Sequence, residues 1–122
     1  MSLTASDEEV LLLHNPRCSK SRQVKALLEG RGVEFTERRY LERPLDTAEL
    51  LDLGRRLGQP AREWTRCKEQ AFAESGLEAA STEGTYIEAL ASHPILLQRP
   101  ILVVGGAAKI GRPPEDVLEL LP

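Results

Sequence analysis

The stretch "LLLHNPRCSKSR", residues 11–22, decides how the chain is read. With Val10 its leucines form a short continuous apolar run of the kind a buried strand uses. Asn15-Pro16 breaks that run and turns the chain. From Ser19 the spacing becomes helical, with Val24, Leu27 and Leu28 on one face and Gly30 and Gly32 to stop it. A lone cysteine, Cys18, therefore stands at the predicted helix start, with Arg17 before it and Lys20 and Arg22 after it.

Working outward, "VEFTERRYL" (33–41) reads as a second strand carrying Val33, Phe35 and Tyr40. Asp46 followed by Glu49 predicts a capped helix burying Leu50, Leu53 and Leu57 and ending at Gly58. A further helical stretch is expected from Pro60 through Trp64 and Cys67 to about Gly76, and another from about Glu83 to Ser92. Ile101 to Val104, the Gly105-Gly106 turn and Ala107 to Ile110 predict a hairpin. "RPPEDVLELLP" then predicts a closing helix with Val117, Leu120 and Leu121 inward. Strand, helix, strand makes the first two strands parallel, and the hairpin adds an antiparallel pair. The order implies an α/β fold: a mixed four-stranded sheet with flanking helices and a helical insertion between strands 2 and 3, the thioredoxin-like arrangement.

A length of 122 residues suits one domain, with 1–9 expected to be a frayed, disordered start and 10–122 a single folded unit. Apolar content of 41% with 29% charged residues is that of an ordinary globular protein. A net charge of −3 provides no global cationic field, which argues against non-specific nucleic-acid binding. No apolar run approaches the ~20 residues of a membrane span, and the N-terminus carries no secretory pattern. Two cysteines are too few for a disulfide scaffold, which favours a reducing, cytoplasmic setting and a thiol used for chemistry. A monomer is compatible with the acidic surface.

At a helix N-terminus unpaired N–H groups and the positive dipole end favour a thiolate, and the same donors favour a bound oxyanion. The alternative is an inert buried cysteine, disfavoured by the turn before it and the cations around it. Ser21 takes the fourth place of a C-x-x-C pair, so the redox dithiol is missing; five residues on from Cys18 and one more lands on Val24, so the phosphatase C-x5-R cradle is missing too. One thiol can attack and hold an adduct but needs a second thiol to complete a two-electron reduction. Cys67 is one candidate, with helix packing an equal reading; a small diffusible thiol such as glutathione is the simpler one. Ser21 is read either as a cap or thiolate donor, or as a plain helix-surface serine. His14 is read as ending the strand and bonding locally, with tuning of the thiolate as the alternative. His93 reads as a turn residue, and Cys18, His14, Cys67 and His93 lack the paired spacing of a zinc site, so no metal is expected.

With these residues the chain resembles the glutaredoxin-coupled arsenate reductases, the ArsC family, whose relatives include Spx regulators and short YfgD-like proteins. "HNPRCSKSR" carries the resemblance, joined in order by "YLERP", "AREWTRCKE", "HPILLQRPI" and "KIGRPPEDVLELL". The loop Arg17-Cys18-Ser19-Lys20 is closest to the YfgD-like members. The resemblance implies that Cys18 is the nucleophile and that Arg66, Arg99 and Arg112 hold the oxyanion, a task suited to the planar, permanently charged guanidinium. It also implies a cis bond before Pro100, beside the thiol. The implied chemistry is reduction of arsenate with glutathione and glutaredoxin as electron donors and no bound cofactor. Two rivals stand beside it: a glutathione-linked thiol oxidoreductase without arsenate activity, and a non-enzymatic Spx-like regulator of transcription, against which Ser21 counts.

Overall fold

A computed structural model describes residues 3, 4 and 9–121. Their contacts gather into two compact units: residues 4, 9–43 and 99–121, and residue 3 with 44–98. Most of the start expected to be frayed lies outside the described residues. Within it Leu3 is buried, and its N–H donates to the Asp52 carboxylate at 2.8 Å.

The first unit holds the sheet. Strand β1 (Val10–His14), helix α1 (Ser19–Gly30) and strand β2 (Thr36–Arg39) form the expected parallel crossover, with Leu11 opposite Thr36 and His14 opposite Arg39. Strands β3 (Ile101–Val104) and β4 (Ala107–Ile110) form the hairpin through Gly105, which takes φ +57. The order is β2-β1-β3-β4, with β1 antiparallel to β3. This is the mixed four-stranded sheet that the element order implied. Leu12 and Leu102, directly paired, cluster on one face with Val24 and Leu28 of α1 and with Val117. Leu11, Leu13, Ile101 and Val103, pointing the other way, are buried too, so β1 and β3 read as continuous apolar runs because both faces are covered.

Two elements differ from expectation here. The second strand is shorter than 33–41, because Val33 and Phe35 pack against the apolar cluster before the pairing with β1 begins. The closing helix, Pro114–Leu120, is a 3-10 turn. At three residues per turn Pro114, Val117 and Leu120 stack on one face, and the first two of these are buried.

The second unit is helical. Helix α2 (Thr47–Leu57) has the expected reciprocal cap, the Asp46 carboxylate accepting from the Glu49 N–H and the Glu49 side chain accepting from the Asp46 N–H, and it ends at left-handed Gly58. Leu50 and Leu53 are buried as expected. A single helix from Pro60 to Gly76 does not form. A 3-10 turn at Ala61–Trp64 gives way at Thr65, whose extended backbone bridges Leu97, and the short helix α3 spans only Gln70–Glu74. The Arg66 N–H donates to the Leu96 carbonyl and the Gln98 N–H to the Trp64 carbonyl, so these groups are spent on a distant segment rather than on helix. Helix α4 (Glu83–Ser92) forms as expected, packs on α2 and buries Tyr86, Ile87 and Leu90. Among the described residues no helix is long and apolar enough to cross a membrane.

Candidate functional site: the thiol loop

The link between β1 and α1 is only four residues, and each is fixed by hydrogen bonds. The Cys18 N–H donates to the Asn15 carbonyl at 3.0 Å, and the Arg17 N–H donates to the Asn15 side-chain oxygen at 3.0 Å. Arg22 reaches back one turn to donate to the Pro16 carbonyl at 2.9 Å. Cys18 is the residue before α1, with extended backbone and no side-chain cap, so its sulfur is left at the helix start. It is a free, half-buried thiol. Burial raises its pKa, yet the N–H of Ser21, the Arg99 guanidinium and the N–H of Lys20 outweigh burial and hold the thiol below its ordinary value.

The hydroxyl of Ser21 neither caps the helix nor lies on its surface. It is fully buried, accepts from the Asn15 N–H at 3.1 Å and sits 2.7 Å from His14 Nδ1. Its N–H, not its hydroxyl, faces the sulfur. The sequence carried the signal: Ser21 lies three and seven residues before Val24 and Leu28, on the same buried helix face. His14 ends β1 as expected and is buried, and that burial lowers its pKa, keeping the ring neutral near pH 7.

On the other side of β1, the Arg99-Pro100 bond is cis, as the resemblance implied, and so is Arg112-Pro113. Arg112 Nε donates to the Arg99 carbonyl at 2.8 Å, and the Gly111 N–H donates to the Pro100 carbonyl at 2.8 Å. Two of the three expected arginines are thus tied together, and Arg99 lies against the sulfur. The third, Arg66, belongs to the helical unit, where Nε pairs with Glu69 at 2.9 Å and Nη1 donates to the Gln98 side-chain oxygen at 3.4 Å. Cys67 is in that unit too, exposed, with Sγ 3.6 Å from the Thr65 carbonyl oxygen. Among the described residues no group of three or more His, Cys, Asp or Glu could hold a metal ion.

Tyr40 is a residue the sequence reading placed only in the apolar set. One residue past the β1–β2 register it falls level with Asn15, fully buried. Burial pushes its phenol up to about 12, against the Arg99 guanidinium and the Asn15 side chain beside it. It is an uncharged polar group at the back of the thiol loop.

A family model described as "ArsC family" matches residues 13–120. The chain belongs to the ArsC family. An Escherichia coli K12 protein named "Uncharacterized protein YfgD" is 47% identical over 116 residues, covering 93% of this chain and 98% of that one. An "Arsenate reductase" of Neisseria meningitidis is 41% identical over 115 residues, covering 93% and 98%. Among solved structures, an arsenate reductase from Vibrio cholerae superposes with a TM-score of 0.89 at 42% identity, covering 93% of this chain and 98% of that one.

Proposed function

We propose that this ArsC-family protein is an arsenate reductase-like enzyme with Cys18 as its nucleophile. The observation that carries the reading is the thiol at the start of α1, held below its ordinary pKa by two backbone N–H groups and the Arg99 guanidinium. Those groups favour an anion at that spot, whether thiolate or oxyanion. By the family resemblance arsenate is taken as held by arginines, of which Arg99 and Arg112 belong to the unit that holds Cys18.

The Cys18 thiolate displaces one arsenate oxygen, which leaves as water after protonation, giving a sulfur–arsenic(V) ester. A glutathione sulfur then bonds to the Cys18 sulfur. The sulfur–arsenic bond breaks with its electron pair passing to arsenic, and arsenite departs with the glutathione proton. Arsenic falls from the +5 to the +3 state while the two sulfurs form a disulfide, which glutaredoxin reduces. A monomer in a reducing cytoplasm suits this chemistry, and no bound cofactor is required.

The test is arsenate reduction with glutathione and glutaredoxin. Wild type turns over and Cys18→Ser falls to the uncatalysed rate; turnover surviving that substitution refutes the mechanism. One observation favours a second reading, a glutathione-linked thiol oxidoreductase without arsenate activity: Arg66 already has a carboxylate, Glu69, against its guanidinium. No arsenate turnover by wild type, with Cys18 still forming a glutathione disulfide at neutral pH, selects it.

A further inference from the structure

Tyr40 has no part in the chemistry set out above, yet its surroundings are those of a working group. The register that pairs His14 with Arg39 brings Tyr40 level with Asn15, one step beyond the end of β2. Its ring is fully buried, and Asn15 is 4% exposed. The polar neighbours of its hydroxyl are the Arg99 guanidinium and the Asn15 side chain. Among the described residues, however, no hydrogen bond of ordinary geometry reaches the phenol oxygen. A buried hydroxyl left without a partner costs stability. Phenylalanine would be the better residue if packing were the only task.

Both neighbours of that hydroxyl lead to the sulfur, and all of them belong to the unit that holds the sheet. Asn15 builds the thiol loop: its carbonyl accepts from the Cys18 N–H and its side-chain oxygen from the Arg17 N–H, both at 3.0 Å. Arg99 favours the Cys18 thiolate. Its carbonyl is held by Arg112 Nε at 2.8 Å, which fixes its main chain but not the far end of a long side chain. A guanidinium carries only donors, so a phenol oxygen beside it accepts. The phenol proton is then free to point at the Asn15 side-chain oxygen, which has a second lone pair to offer. A carboxylate in that place would also hold the guanidinium, but it would offset the positive charge that favours an anionic sulfur. A phenol does not, because burial pushes it up to about 12 and it stays neutral.

We propose that Tyr40 is the positioning residue for Arg99: its phenol oxygen accepts from the guanidinium and its O–H donates to the Asn15 side chain, which aims the cation at Cys18. Hydrogen bonds at reacting sites are often long or poorly aligned at rest and tighten when the reaction partner arrives. The proposal rests on the reading of Cys18 as the reacting thiol with Arg99 beside it, but not on arsenate. The titratable groups that act on the phenol are Arg99 and Cys18.

The test is the pH midpoint of Cys18 alkylation by iodoacetamide, in which the thiolate bonds to carbon and iodide leaves. It is measured on four full-length proteins: wild type, Tyr40→Phe, Arg99→Gln and the double variant. Arg99→Gln raises the midpoint. Tyr40→Phe, which removes one oxygen and keeps the ring, raises it by roughly 0.5–1 on the pH scale, the worth of one net hydrogen bond. In the double variant the Tyr40 change adds nothing to the Arg99 change, because the two act as one unit. A folded Tyr40→Phe protein with the wild-type midpoint overturns the proposal whatever its stability in urea, since the hydroxyl then serves packing alone. Equal shifts from the Tyr40 change with and without Arg99 overturn it as well, since the phenol would then act on the sulfur directly. If Arg99→Gln itself leaves the midpoint at the wild-type value, the reading of Arg99 at the site fails and takes the proposal with it.

Discussion

Adding one methyl group at Gly111 and one at Gly84 should move stability in opposite directions. A Cβ at Gly111 would lie 2.9 Å from Pro100 Cγ, 2.9 Å from Val24 Cγ2 and 3.3 Å from Val117 Cγ1. Pro100 is a closed ring, and Val24 and Val117 are fully buried, so none of the three is a free side-chain end that can swing away. Overpacking of this kind costs about 1–3 kcal/mol, a large share of a domain stability of roughly 5–15 kcal/mol. At Gly84, in the first turn of α4, a Cβ meets nothing within 4 Å. There the only effect is on chain entropy, and alanine should stabilise by about 0.4–1 kcal/mol.

The change at Gly111 also carries a functional consequence. Its N–H holds the Pro100 carbonyl, and the next residue, Arg112, holds the Arg99 carbonyl. Pushing Gly111 away from Pro100 shifts the segment that places Arg99 against the sulfur. Urea unfolding followed by circular dichroism gives the stability, and the rate of Cys18 alkylation by iodoacetamide at pH 7 gives the site. Gly111→Ala should lower the urea midpoint and slow alkylation of the folded protein, whereas Gly84→Ala should raise the midpoint and leave alkylation alone. Equal midpoints for wild type and Gly111→Ala would refute the packing argument.

Three further outcomes are expected. The alkylation rate of Cys18 should rise with pH through a midpoint below that of an ordinary thiol, and Arg99→Gln should move that midpoint upward, since it removes a cation that favours the anionic sulfur. Ser21→Ala should cost about 1–3 kcal/mol in urea unfolding, because it leaves the buried Asn15 N–H without its acceptor. Asp52 is 3% exposed and paired with Arg56 at 3.2 Å; burial raises its pKa, but the Leu3 N–H and Arg56 outweigh it and lower the value overall. Its contribution is therefore complete above the ordinary aspartate range near pH 4 and is lost as pH falls through the lowered folded value. Asp52→Asn should cost about 2 kcal/mol at pH 7, less than a fully dry pair because Arg55, its other partner, is largely in water. The gap between variant and wild type should close in unfolding curves at lower pH.

What the sequence made legible was local. The run from Val10, the Asn15-Pro16 break, the helical spacing after Ser19, the Asp46–Glu49 box and the Gly105-Gly106 turn each declare their structure within a few residues, and each forms. The stretch after Pro60 did not declare itself, because Thr65 pairs with Leu97, thirty-two residues away, and that pairing outcompetes one more turn of helix. The closing segment has the apolar spacing of a helix, and only its packing reveals three residues per turn. At the site, Cys18, Arg99 and Pro100 were legible through the motif. Tyr40 was not, because its place depends on the β1–β2 register.

The register also bears on how the thiol is made reactive. In a cysteine–histidine ion pair the thiolate is stabilised by an imidazolium, so reactivity has one limb from the sulfur and another from the ring. Here His14 is buried with Nδ1 against the Ser21 hydroxyl, and its burial favours the neutral ring. The groups that do favour the thiolate are two peptide N–H groups and the Arg99 guanidinium. The histidine therefore acts on the loop rather than on the charge of the sulfur: through Ser21 it fixes the helix turn whose N–H faces Cys18. The alkylation profile should then show a single limb, from Cys18 alone, between pH 5 and 9. A second limb in the histidine range, abolished by His14→Gln, would show that the ring shares the charge and that the backbone and Arg99 are insufficient.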